Sequence, residues 1–67
     1  MIEKHSISIM GHRTSVTLEG EFWLELSNIE KANGKSISQI ITEIDNTREY
    51  ENLSSNIRVF VLKSLKK

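Results

Sequence analysis

Gly11-His12-Arg13-Thr14-Ser15-Val16-Thr17-Leu18 is the stretch that decides the fold. Polar and apolar residues alternate over Ser15-Val16-Thr17-Leu18, the period-two pattern of a strand with one buried face. Thr14, Val16 and Thr17 are β-branched and suit extended backbone. Successive strand side chains point to opposite faces, so Val16 and Leu18 are expected inward and Arg13, Ser15 and Thr17 outward. Upstream, Ser6-Ile7-Ser8-Ile9 also alternates, but its apolar residues are odd-numbered where Val16 and Leu18 are even-numbered. One flat strand cannot bury both pairs on one face. The phase must shift between Met10 and Arg13, and Gly11 is the place for a bulge or turn, because glycine takes positive φ at little cost. The extended region is read as residues 6–18.

Downstream the period changes to that of helices. Phe22, Leu26 and Ile29 lie at i, i+4 and i+7, with Trp23 widening the stripe, which predicts a helix over about 20–33. Glu19 or Gly20 must serve as its N-cap. Glu19 and Glu21 suit the positive end of its dipole. Asn33-Gly34 is a helix stop, with Gly34 able to take the left-handed conformation. Ile37, Ile40, Ile41 and Ile44 form a second apolar stripe and predict a helix over about 37–46. Ser36 is its expected N-cap and Gln39 stands at the capping-box position. Asn46 to Glu51 is polar and reads as the end of that helix and a loop. A third helix is expected over about 54–66, capped by Asn52 or Ser54, with Ile57, Phe60, Val61 and Leu65 on one stripe. Val59 and Leu62 lie off that stripe, which suggests burial on two sides. Lys63, Lys66 and Lys67 suit the negative end of its dipole. The expected core is Leu18, Phe22, Leu26, Ile40, Ile41, Ile44, Ile57 and Phe60.

A short strand is not stable without a partner for its backbone groups. Nothing after residue 18 offers one. Two partners remain open: Ile7–Ile9 folded back as a hairpin, or the same strand of a second copy. The chain has 67 residues and no cysteine, so disulfides cannot supplement its small core. Its only histidines are His5 and His12, too few for a zinc site. A second copy is therefore the expected source of missing core, and the reading is one 1–67 domain that forms a homodimer. Apolar residues make up 37% and charged residues 27%, which fits a folded chain better than a disordered one. No apolar run approaches the ~20 residues of a membrane span. Met1 to His5 is polar and is not a signal core, so a cytoplasmic location is expected.

Nine Lys and Arg balance nine Asp and Glu, which by itself argues against a strongly basic nucleic-acid binder. The charges are not evenly spread. Residues 19–34 carry Glu19, Glu21, Glu25 and Glu30 against Lys31, whereas residues 47–67 carry five basic groups against two acidic ones.

Arg13-Thr14-Ser15-Val16-Thr17-Leu18, then Phe22 and Leu26, then Gly34-Lys35-Ser36-Ile37-Ser38-Gln39-Ile40-Ile41 resembles the ribbon-helix-helix DNA-binding family, the class of the Arc and MetJ repressors. The flanks, His5-Ser6-Ile7-Ser8-Ile9-Met10-Gly11-His12 and Asn52-Leu53-Ser54-Ser55 followed by Arg58-Val59-Phe60-Val61-Leu62, look like a bacterial subgroup with an extra C-terminal helix. The resemblance implies a mainly α fold with an N-terminal β-ribbon, arranged as an intertwined homodimer. It implies that the ribbon enters the major groove, where each base pair presents a distinct pattern. Arg13, Ser15 and Thr17 would then contact bases. Lys35, Ser36 and Ser38, with His12, would hold backbone phosphate at the N-terminus of the second helix. Two features depart from the family pattern. Thr14 has core parity where the family commonly has an aliphatic residue, and the neutral net charge implies modest affinity, a short contact surface or lost DNA binding.

The expected function is thus DNA binding as a transcriptional repressor, with double-stranded DNA and a second copy as partners and no cofactor. One alternative is an antitoxin, whose C-terminal segment neutralises a toxin protein. That segment is commonly a tail that orders on binding, whereas residues 54–66 read as a regular helix. Another is a dimeric protein-interaction module without DNA binding, favoured by the zero net charge. Asp45, Glu49 and Glu51 have no nucleophile or companion base, so no enzyme is expected. Trp23 reads as core rather than as a ligand pocket.

Overall fold

A computed structural model describes residues 1–47 and 49–66. An antiparallel hairpin of β1 (Ile2–Ile9) and β2 (His12–Glu19) is followed by α1 (Gly20–Asn33), α2 (Ile37–Asn46) and α3 (Leu53–Leu65). The architecture is a two-stranded ribbon with three helices. Of the two partners left open for β2, the structure shows the strand of the same chain. Lys67 lies outside the described residues.

The hairpin resolves the parity conflict. Met10 (φ 51°) and Gly11 (φ 83°) form a two-residue turn with both φ positive, the geometry that matches strand twist in a tight hairpin. Ile9 pairs with His12, Ile7 with Thr14, His5 with Val16 and Glu3 with Leu18. Directly opposed residues share a face, so odd positions of β1 join even positions of β2 on one side. Ile9, Val16 and Leu18 are buried there, and Ile7 and Thr14 are half-buried. Thr14 thus occupies the core-facing position opposite Ile7. The strand also starts earlier than residue 6: Gly20 N–H donates to the Met1 carbonyl at 3.0 Å, so pairing runs the length of both strands.

Helix termini follow local chemistry. Glu19 is the N-cap of α1, but its carboxylate makes no cap bond. It accepts instead from Arg58 Nε at 3.0 Å and Nη2 at 3.3 Å. Gly34 ends α1 with φ 71°, its N–H donating to the Glu30 carbonyl. Ser36 Oγ accepts from Gln39 N–H at 3.1 Å and Gln39 Oε1 accepts from Ser36 N–H at 3.0 Å, a complete capping box. Asn52 caps α3 by accepting from Ser54 N–H at 2.8 Å.

The core sits between the inner ribbon face and the three helices. It contains Ile9, Val16, Leu18, Trp23, Leu26, Ile40, Ile41, Ile44, Ile57 and Val61. Two expected core residues, Phe22 and Phe60, are only half-buried and flank this cluster. The buried lines are Trp23–Leu26 on α1 and Ile57–Val61 on α3, each rotated one position from the expected stripe. Rotation about a helix axis is set by packing against neighbours, and one position is 100°. Phe22 is covered by the Arg58 guanidinium, 5.9 Å from its ring centre. Trp23 satisfies its indole by donating to the Glu3 carbonyl at 3.1 Å, and His5 stacks on its ring at 4.0 Å. These contacts fasten β1 to α1. Among the described residues no helix is long and apolar enough to cross a membrane.

Candidate nucleic-acid interface

The outer ribbon face follows directly from the register. Lys4 opposes Thr17, Ser6 opposes Ser15 and Ser8 opposes Arg13. All six residues are exposed. Arg13, Ser15 and Thr17, the expected base-contacting set, therefore stand side by side on one polar face. Arg13 Nη1 donates to Ser6 Oγ at 3.0 Å, which links the strands on that face. Glu19 closes the far end of the same face. Its side-chain bond with Arg58 is the main cause that lowers its carboxyl pKa below the usual 4.5, and its charge is neutralised locally.

The residues expected to hold phosphate are more dispersed. Ser38 lies in the first turn of α2, and its hydroxyl donates to the Ser8 carbonyl, which ties α2 to the ribbon. A shallow groove there is lined by Ser8, Met10, Gly11, Ser38 and Thr42. His12 is exposed at the start of β2, opposite Ile9. Ser36 spends its hydroxyl on the capping box. Lys35 forms an exposed ion pair with Glu43, with Nζ 2.9 Å from Oε2. Ile37 N–H donates to Glu30 Oε2 at 3.2 Å, so a carboxylate already stands at the start of α2. The site accepts anions, as a helix N-terminus should, but Glu30 and Glu43 currently fill part of that role.

Sequence reasoning missed three contributors. Lys4, Ser6 and Ser8 join the outer face only through the β1–β2 register. Asn56 is buried and fastens the α2–α3 loop. Its Oδ1 accepts from Glu49 N–H at 2.8 Å and Tyr50 N–H at 3.1 Å, and its Nδ2 donates to the Tyr50 and Asn52 carbonyls at 2.7 and 2.8 Å. Ser54, read as a cap candidate, donates its hydroxyl to the Thr17 carbonyl at 3.0 Å and joins α3 to the edge of β2.

The chain matches the family model described as "Ribbon-helix-helix domain" over residues 2–65. No curated protein and no solved structure matches it.

Proposed function

The chain belongs to the ribbon-helix-helix family, and from that membership we propose that it binds double-stranded DNA through the outer face of its ribbon and represses transcription. Domains of this family bind DNA and dimerise generally. The observation that carries the reading is the exposed row of Arg13, Ser15 and Thr17 on the ribbon face turned away from the core. A two-stranded ribbon fits the major groove, arginine pairs bidentately with guanine, and serine and threonine donate or accept at any base. The zero net charge of the chain is compatible with this, because Lys4 and Arg13 lie on the face and Glu19 is paired with Arg58.

Lys35, Ser36, Ser38 and His12 anchor backbone phosphate beside the ribbon. The ion pair of Lys35 with Glu43 is exposed on both sides; such pairs contribute about 0–1 kcal/mol, so a phosphate can displace the carboxylate. Two copies associate as homodimers, with Leu62 and Leu65 as the support for a helical contact. They lie one turn apart on α3 and are 53% and 63% exposed.

Titration of random-sequence duplexes at low and high salt tests the proposal. Binding should weaken as salt rises, since each phosphate contact releases counterions. Arg13→Ala should cost about 1–3 kcal/mol and relax preference at particular base pairs, while Lys35→Ala should weaken all sequences alike and flatten the salt slope. No binding even at low salt would overturn the proposal in favour of a protein-interaction module.

A further inference from the structure

In this chain both strands of the ribbon come from one polypeptide, and they are not equivalent. We infer that the DNA-reading surface is asymmetric and complete within one chain, with Lys4, Ser6 and Ser8 of β1 contacting base edges beside Thr17, Ser15 and Arg13 of β2. This rests on the reading that the outer ribbon face enters the major groove.

Three observations carry it. First, the register places the β1 residues directly across from the β2 residues on the same exposed face. Cross-strand neighbours are only ~4.5–5.5 Å apart, so DNA that touches Arg13 and Ser15 also meets Ser8 and Ser6. Second, both outer edges of the ribbon are already tied to helices. The Ser8 carbonyl takes the Ser38 hydroxyl and the Thr17 carbonyl takes the Ser54 hydroxyl. A residue's N–H and C=O point to the same side of its strand, so these carbonyls mark the edges facing away from the partner strand. A strand from a second copy would have to displace one of the two tethers. Third, β1 is built into the fold. It is bonded at both ends, by the Met10–Gly11 turn and by Gly20 N–H to the Met1 carbonyl, and it is fastened to α1 by Trp23 and His5.

The chemistry of the β1 row suits the same groove. Lysine donates to guanine O6 and N7, and serine contacts any base. Lys4 and Arg13 stand towards opposite ends of the face on opposite strands, so the two cations address different base pairs. A ribbon made of two identical strands would repeat each residue about its centre. Here each residue is read once, and the footprint of one ribbon has no internal dyad.

Selection of duplexes from a random library by the wild-type protein and by Lys4→Ala, Lys4→Arg, Ser8→Ala and Arg13→Ala tests this, with circular dichroism on each variant. Lys4→Ala should lower affinity at least about fivefold, the lower end of one good base contact. It should relax preference at a base position that Arg13→Ala leaves untouched. Lys4→Arg should keep the affinity and alter preference at that same position. Suppose Arg13→Ala relaxes the site while Lys4→Ala and Ser8→Ala behave as wild type; the asymmetric surface is then wrong, although the major-groove reading survives. Uniform weakening by Lys4→Ala across all sequences also overturns it, because β1 would then anchor rather than read. If the wild-type protein binds no duplex, or binds with every ribbon variant unchanged, the major-groove reading fails and this inference with it.

Discussion

Asn56→Ala should be among the most damaging single polar substitutions in the chain. Asn56 is 6% exposed and spends both donors and both acceptor positions of its amide on backbone groups of residues 49, 50 and 52. A net bond contributes about 0.5–1.5 kcal/mol, so four would contribute roughly 2–6 kcal/mol if none were replaced. Glu49, Tyr50 and Asn52 are exposed, and water can recover part of the loss, which brings the expected cost to about 2–3 kcal/mol. A chain of this size has roughly 3–10 kcal/mol in total at ~0.05–0.15 kcal/mol per residue. The substitution should therefore lower Tm by about 10–20 °C. Urea unfolding followed by Trp23 fluorescence and by far-ultraviolet circular dichroism measures it. Asn56→Asp keeps the shape but sets a carboxylate against the Tyr50 and Asn52 carbonyls, so it should be at least as unstable at neutral pH. A cost below about 0.5 kcal/mol for Asn56→Ala, the ordinary range of surface changes, would refute the clamp.

Glu43→Gln should raise DNA affinity several-fold at low salt, because Lys35 loses its internal carboxylate partner; unchanged or weaker binding in a filter assay would argue that Lys35 does not meet phosphate. Glu19→Gln should destabilise the fold at neutral pH. The Arg58-paired carboxylate has a lowered pKa, so its contribution is present above the usual carboxylate value and disappears as pH falls through the lowered one. The gap between wild type and variant in thermal melts should close on acidification, and a gap independent of pH would contradict the pairing. Met10→Asn should raise Tm, because Met10 sits at φ 51°, where asparagine is favoured in a two-residue hairpin turn; a lower Tm would mean that the Met10 side chain contributes more than its backbone strain costs.

Much of the architecture was legible because local chemistry wrote it. Ser36 and Gln39 bond to each other's backbone within one turn, and Gly34 supplies a left-handed stop, so these helix ends are visible in sequence. The inward Val16 and Leu18 and the outward Arg13, Ser15 and Thr17 follow from a period of two that no tertiary contact can change. The parity conflict between Ile7–Ile9 and Val16–Leu18 pointed to a phase shift at Gly11. What it did not reveal was the full length of β1. Glu3, Lys4 and His5 carry no apolar alternation, and their strand conformation comes from pairing with Leu18, Thr17 and Val16. Phe22 and Phe60 were placed too deep because a helix's rotation about its axis depends on its neighbours. Asn56 looked like any polar residue in a first helical turn, and only the path of the loop gives it four partners. Contacts of Glu30 with Ile37 and Glu43 with Lys35 join separate turns of chain, so the competition for the anion site was invisible.

Backbone amide shifts recorded while duplex DNA is titrated into the labelled protein test the central claim most directly. The account predicts the largest changes at Lys4, Ser6, Ser8, Arg13, Ser15 and Thr17, smaller ones at Lys35 to Ser38, and little along α3. Changes concentrated on α1 or α3, with the six ribbon residues unmoved, would contradict it.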